Sequence, residues 1–402
     1  DFYGKDNRVL FYMDRGMILH LGRQYQASNK FLDQAERAAQ DLWTESIGDN
    51  AAAWLTTDNS LPYQGEDFEK VAINIVSALN YVGLNNYDGA RVEARQVTNQ
   101  LQQYADKYAE EDSEAVQNYR DDAFARWLSG KMRALEGSFE GHNEAWIEYR
   151  SALEIYERDY AERYGIGVPR FVVQDALHTL EALGGSFREE LDSLRARFPD
   201  VEYVSPANAK EMGEVVLVHL NGEAPYKIDQ FWDASANGDP LRIAYPQFVA
   251  KNHVIVGARM RASDGTQGRT EVGEPWTAIA IQNLDDHMGR IKAKAIARAI
   301  AKYLVSKGAQ AAGKEAGGDA GAVLQIAGAL FQAGSYIAEE ADKRSWITLP
   351  AQVNIGRVYV PAGTNELDVQ FVSRNGSVVE TKKFQVSPQA GKTEFVFYRT
   401  YR

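Results

Sequence analysis

The stretch MILHLGRQYQASNKFLDQAERAAQ, residues 17–40, decides how the first half of this chain folds. Apolar side chains recur every three or four residues on both sides of Gly22, which is typical of amphipathic helices. The small residue between them marks a turn rather than one continuous helix. The stretch therefore predicts two antiparallel helices joined by a short turn.

This hairpin pattern recurs along the first 200 residues. Alanines at 35, 90 and 145 each stand early in a helix-like segment, at intervals of 55 residues. The step from Leu21 and Gly22 to Tyr25 has the small and large residues of tetratricopeptide (TPR) hairpins, and Trp127 with Gly130 repeats it. Because a TPR unit has about 34 residues, we expect an irregular, TPR-like array of about four hairpins, ended by Pro199.

Residue patterns change from helical spacing to strand-like alternation after Pro206. Strand-like runs occupy residues 213–222 and 253–262, and four more lie at 352–360, 366–373, 378–386 and 394–401, separated by turn signals. We therefore predict a multi-domain α+β protein. Its parts are a TPR-like α-helical hairpin array (1–205), an α+β middle domain (206–345) and a small C-terminal antiparallel β domain (346–402).

Composition narrows the class of protein. The 402 residues carry a net charge of −12 and no cysteine. An acidic chain without a dense basic run is a poor partner for nucleic acid, and it has no thiolates for metal binding or catalysis. A chain without cysteine also suits the oxidising periplasm. The start at Asp1 leaves open whether a targeting segment has been removed.

One uncharged stretch, residues 321–338, reaches the length at which a membrane span must be considered. Glutamines, a serine and several glycines dilute its hydrophobicity, and no aromatic or basic belt brackets both ends. We expect a Gly/Ala-rich helix buried in a domain or against a partner.

No common catalytic motif is present. The only Gly-Lys-Thr sequence, 391–393, lacks the earlier glycine of a phosphate-binding loop and lies between two predicted strands, so we interpret it as a turn. The six histidines have no metal-ligand spacing. We therefore predict no catalytic residue, no cofactor and no metal. A pair among the 56 acidic residues leaves a glycosidase-type mechanism open.

Five segments resemble a family of largely uncharacterised bacterial envelope lipoproteins with TPR-like N-terminal regions. They are YQGEDFE (63–69), ARVEAR (90–95), NGEAPYK (221–227), KAIARA (294–299) and ADKRSWITLP (341–350). The resemblance spans most of the chain. It implies a periplasmic protein anchored to the outer membrane through a lipidated N-terminal cysteine, and it implies no specific activity.

Four residues are candidates for a binding site: Lys227, Asp342, Arg344 and Trp346. An Asp-Arg pair and a Trp just before the first strand of the last predicted domain can pin two domains together, and we favour this structural lock over a binding site. Lys227 follows a predicted turn, where it can pair with a carboxylate or contact a partner.

We expect a non-catalytic interaction scaffold of a cell-envelope assembly, whose partners are other envelope proteins or further copies of itself. Stacked hairpins form extended surfaces that bind peptides or protein segments. Two alternatives stay open: a subunit that assembles into a ring or filament through residues 321–338, and a cell-wall hydrolase that uses paired carboxylates.

Overall fold

The protein, seen in a computed structural model, is described over residues 3–48, 61–111, 119, 121–236, 239–289, 291, 292, 295 and 340–402. Within these ranges it is a mixed α+β fold, helical in the first half and built on a β-sheet in the second. The stretch 321–338, the segment 294–299 apart from residue 295, and most of the sequence between residues 290 and 340 lie outside the described residues.

Helical hairpins occupy most of residues 8–197. Neighbouring helices contact each other along the chain, so the hairpins stack side by side. The pairs are α1 (Arg8–Leu21) with α2 (Tyr25–Gly48), α3 (Asp67–Gly83) with α4 (Tyr87–Glu111), α5 (Ala123–Ala134) with α6 (Phe139–Ile155), and α8 (Arg170–Leu183) with α9 (Arg188–Arg197). Between the last two pairs, α6 continues through a π-helical turn (Tyr156–Tyr160) into α7 (Ala161–Tyr164).

The turns inside the hairpins share a local geometry. A residue with positive φ stands at 23, 85, 137 and 185, and two residues later an aromatic side chain follows. Left-handed backbone at this place ends the first helix and redirects the chain. The aromatic residues are Tyr25, Tyr87, Phe139 and Phe187.

Buried small residues let the paired helices approach. The three alanines at 35, 90 and 145 are fully buried, and a Cβ on Gly130 would lie 2.7 Å from the Tyr149 ring. The turns, however, recur at intervals of 62, 52 and 48 residues. The 55-residue interval is therefore a spacing between buried alanines that occupy different turns of their helices.

A seven-stranded sheet forms most of the second half. Its order is β8-β7-β4-β5-β6-β1-β9, and only the β1–β9 pair is parallel. The strands are β1 (Met212–Asn221), β4 (Ile255–Ala262), β5 (Gln267–Glu274), β6 (Gln352–Pro361), β7 (Asn365–Ser373), β8 (Val378–Val386) and β9 (Thr393–Thr400). Strands from both sides of the predicted boundary at residue 345 therefore share one sheet.

The sheet folds over on itself and also packs against the helices. Val215 and Leu217 of β1 belong to a core between the two halves of the sheet, whereas Val216 and Val218 belong to the core shared with the helical array. Burial on both faces explains why β1 is almost continuously apolar. Tyr398 of β9 approaches Phe384 of β8 at 5.7 Å, so the two edge strands face each other.

A separate two-stranded hairpin, β2 (Tyr226–Ala236) with β3 (Asp239–Val249), leaves the sheet after β1. The short helix α10 (Pro206–Ala209) precedes β1, and α11 (Trp276–Asp286) follows β5 and contacts both α3 and β3. Among the described helices none is long and apolar enough to cross a lipid bilayer.

Candidate functional site

The four candidate residues lie at one junction between the helical array, the β2–β3 hairpin and the segment before β6. The Lys227 side chain is 1% exposed, and its ammonium bonds the carboxylate of Glu66 at the start of α3. The same ammonium lies 5.2 Å from the centre of the Phe248 ring on β3. Lys227 therefore ties the hairpin to the array.

Glu69 is the centre of this junction. It accepts hydrogen bonds from the Tyr63 hydroxyl (2.6 Å), the backbone N–H of Trp346 (2.6 Å) and the backbone N–H of Glu66 (3.0 Å). The bond from Glu66 completes a capping box at the start of α3. Burial raises the pKa of the Glu69 carboxyl to about 7, and the charge of Glu66 acts in the same direction.

Arg344 and Asp342 form the outer part of the junction. The Arg344 guanidinium bonds Asp342 twice (2.7 and 2.9 Å) and donates to the carbonyl of Leu61 (3.0 Å). It also lies 5.1 Å from the centre of the Tyr63 ring. The indole of buried Trp346 donates to Thr348 (2.9 Å).

Three of the five family-like segments therefore meet in space: 63–69, 221–227 and 341–350. Their charged groups form ion pairs and hydrogen bonds within the chain, which is the arrangement that the lock interpretation requires. Lys227 and Trp346 are buried, whereas the Arg344 and Asp342 side chains are 17% and 22% exposed.

A second set of buried charges joins the array to the sheet. We call Lys131, Asp175, Glu214 and Arg357 the ion-pair centre. Lys131 Nζ lies 2.8 Å from Glu214 and 3.2 Å from Asp175, and Arg357 lies 2.6 Å from Asp175. Burial alone would raise the pKa of Asp175, but the charges of Arg357 and Lys131 hold that pKa well below its usual range.

A cleft of about 440 Å³ lies above the ion-pair centre, between the α5–α6 turn, α8, α10 and the turn that joins β8 to β9. We call it the cationic cleft because Lys210 and Lys392 stand on its rim with His142 and His178. The two imidazole rings are 6.4 Å apart. Burial and the charge of His178 lower the pKa of His142.

A groove of about 580 Å³ runs along β9 on the other side of the same β8–β9 turn. Its walls are the first two hairpin turns, including Tyr25 and Asn85, and the end of β8. Phe397 and Phe395 of β9 approach the aromatic residues of those turns, with ring centres 5.8 Å (Tyr25) and 6.4 Å (Tyr87) apart. In the described part of the chain β9 pairs only with β1, so its other edge is unpaired.

Sequence patterns alone did not predict the cleft or the groove. Gly391, interpreted as part of a turn, has a φ of 67° in the β8–β9 turn, and the next residue, Lys392, lines both sites. His142 and His178 come from different hairpins, so their separation along the chain hid their proximity. Over the described ranges no cluster of three or more acidic or histidine side chains could hold a metal ion.

Comparisons with protein-family models, with curated proteins and with solved structures found no match. The likeness to envelope lipoproteins stays a prediction.

Proposed function

We propose that this protein is a non-catalytic interaction scaffold of a bacterial cell-envelope assembly, located in the periplasm and held at the outer membrane by a lipid anchor. In this proposal the stacked hairpins are a TPR-like array that serves as a rigid frame. The partner is an envelope protein that contributes an extended segment. That segment binds in the groove and adds a strand to the free edge of β9.

The unpaired edge of β9 is the observation that carries this proposal. An edge strand presents a row of free N–H and C=O groups that an extended peptide can pair with, while flanking pockets select its side chains. The groove supplies such flanks: hairpin turns on one side and Phe384 and Gln385 on the other.

Strand alternation predicts which groups are available. The carbonyls of Lys392 and Thr400 accept from β1, so the even-numbered residues of β9 point their backbone groups at β1. Successive residues of a strand point in opposite directions. Phe395 and Phe397 therefore direct their backbone N–H and C=O groups to the free edge.

Site-specific photo-crosslinking in cells tests the partner. A photoreactive residue replaces exposed Gln385 in the groove, and the matched control replaces Gln103 on the exposed face of α4. We expect the groove position alone to capture one envelope protein reproducibly. Capture of another copy of this chain would instead support the self-assembly alternative. Equal products from both positions, or none, would contradict the proposal.

Amide hydrogen exchange tests the edge itself. In the free protein we expect the amides of Phe395 and Phe397 to exchange at least about tenfold faster than those of Val396 and Tyr398, which face β1. Adding the captured partner segment should slow only the first pair. Equal protection of all four amides in the free protein would mean that the edge is already covered.

The hydrolase alternative has one concrete carboxyl pair, Asp122 and Glu274, which are both fully buried beside tyrosines and line neither the cleft nor the groove. Turnover of cell-wall glycans by the purified protein, abolished by Glu274→Gln, would overturn the scaffold proposal.

A further inference from the structure

The cationic cleft has the size of a small-molecule site. Its volume of about 440 Å³ falls within the range of ligand pockets, about 300–1,000 Å³. Its walls combine apolar side chains, such as Leu135 and Phe139, with a few polar groups that converge from three elements. This composition is typical of a site that fixes a ligand by its polar end.

The floor of the cleft is electrically balanced. Lys131 and Arg357 each contact both Asp175 and Glu214, so two positive charges meet two negative charges. All four side chains are at most 8% exposed. The floor therefore contributes no net charge to the cleft.

The rim carries the unbalanced charge. Lys210 and Lys392 are exposed, and neither forms an ion pair with a carboxylate of the described residues, whereas Glu136 on the same rim pairs with Arg91 and Arg133. Two free ammonium groups beside one cavity, in a protein of net charge −12, concentrate a positive potential there.

Two buried polar atoms in the cleft wall lack a partner among the described groups. Thr179 is 1% exposed, and its hydroxyl makes no hydrogen bond. The Nδ1 atom of His142 is also unpartnered. A buried polar group without a partner is costly, and native proteins rarely leave one unused. An acceptor oxygen of a ligand would satisfy the Thr179 hydroxyl.

The apolar wall is uncovered as well. Tyr25 and Tyr87, the aromatic residues of the first two hairpin turns, each face a phenylalanine of β9. Phe139 occupies the same place in the third turn, but it is 58% exposed and faces no aromatic ring of the described chain. The ring is free to carry the body of a ligand.

We propose that the cationic cleft binds a small anionic ligand, with a phosphate or carboxylate group beside Lys210, Lys392 and Thr179 and an apolar body against Phe139. The site lies on the other side of the β8–β9 turn from the groove and shares Lys392 with it, but it does not depend on the proposed scaffold function. A ligand here would also contact the ion-pair centre from outside and so stabilise the contact between array and sheet.

The aromatic sulfonate 8-anilinonaphthalene-1-sulfonate has the required chemistry and reports its binding by fluorescence. We would titrate the purified full chain with it, and then displace it with phenyl phosphate, phenylacetate or inorganic phosphate. Displacement by phenyl phosphate alone assigns a phosphate ligand, and displacement by phenylacetate alone assigns a carboxylate. If inorganic phosphate displaces the dye as well as phenyl phosphate does, the proposed role of Phe139 is wrong.

Variants identify the site. Lys210→Gln with Lys392→Gln should weaken dye binding about tenfold or more, because two charge-assisted contacts are lost. The control, Lys5→Gln with Lys30→Gln, makes the same change of charge at exposed lysines outside the cleft and should leave the affinity within about twofold.

Thr179→Val separates binding from folding. The substitution keeps the shape of the side chain and removes a hydroxyl that has no internal partner, so the urea midpoint should not fall while dye affinity drops severalfold. Unchanged affinity in both the lysine and the threonine variants would overturn the proposal. A lowered midpoint in Thr179→Val would show that the hydroxyl has a structural partner instead.

Discussion

Two buried polar centres join the helical array to the sheet, and they accommodate their buried carboxyl groups in opposite ways. The ion-pair centre matches two carboxylates with Lys131 and Arg357. The second, which we call the carboxyl centre, places Glu274 of β5 beside Asp122 at the start of α5, and neither carboxyl group forms an ion pair with a cation of the described residues. The hydroxyl groups of Tyr119 (2.5 Å) and Tyr160 (3.0 Å) donate to this pair.

The two centres differ in the protonation state of their carboxyl groups. Lowered pKa values keep Asp175 and Glu214 ionised because cations face them. Burial, and then the charge of Asp122, raises the pKa of Glu274 well above its usual range. Glu274 therefore stays protonated, and its carboxyl group donates a hydrogen bond to Asp122. A buried acid is thus tolerated either as half of an ion pair or as a neutral hydrogen-bond donor.

The largest effect is expected from Asp175→Asn. The change leaves Arg357 and Lys131 with one carboxylate between them in a buried site, and breaking a buried pair in this way costs about 3–5 kcal/mol. The free energy of unfolding, measured in urea at pH 7, should fall by that amount. A loss below about 1 kcal/mol would mean that water reaches the centre and that its charges are screened.

The junction around Glu69 allows a matched test of burial. Lys227→Met should lower the free energy of unfolding by about 1–3 kcal/mol, because it leaves the Glu66 and Glu69 carboxyl groups without their cation. Lys343→Met removes a neighbouring ion pair with Asp229, but the Lys343 side chain is 39% exposed, so the loss should stay below about 1 kcal/mol. Equal losses in the two urea titrations would show that burial does not distinguish them.

Part of this structure could be predicted from the sequence. Periodicity predicted the hairpins and most strands because it reports which face of a segment is buried. It could not predict that β6 lies between β5 and β1, because a turn inside one sheet and a link between two domains have similar residues. Lys227 and the cluster at 342–346 were found separately in the sequence. The structure joins them through Glu69, which the sequence singled out only as part of the family-like segment 63–69.

The cleft and the ion-pair centre could not be predicted from the sequence for a related reason. Asp175 and Arg357 are 182 positions apart in the chain, and a lone charged residue on an amphipathic helix is normally part of a solvated face. Pairing at that distance is set by how the array docks on the sheet. Single-sequence patterns carry no record of that docking.

The smallest effect is expected from Glu274→Gln at pH 5. Because Glu274 is already uncharged in the folded protein, a neutral amide of the same shape should change the free energy of unfolding by no more than about 1 kcal/mol at pH 5. The unfolded chain releases this proton near the ordinary glutamate pKa, whereas the folded chain retains it. The stability that the proton provides is therefore complete at low pH and is lost as the pH rises towards the raised pKa, by up to about 1.4 kcal/mol per pH unit.

The variant lacks that proton and should escape the loss, so its stability relative to the natural protein should rise between pH 5 and pH 8. Asp175→Asn provides the opposite control: a lowered pKa stabilises the folded state above the ordinary aspartate pKa, and its cost should stay constant over the same range. Urea titrations of both variants at four pH values would separate the two. Parallel pH profiles would mean that Glu274 is ionised and that the carboxyl centre holds a cation, which would make the two centres alike.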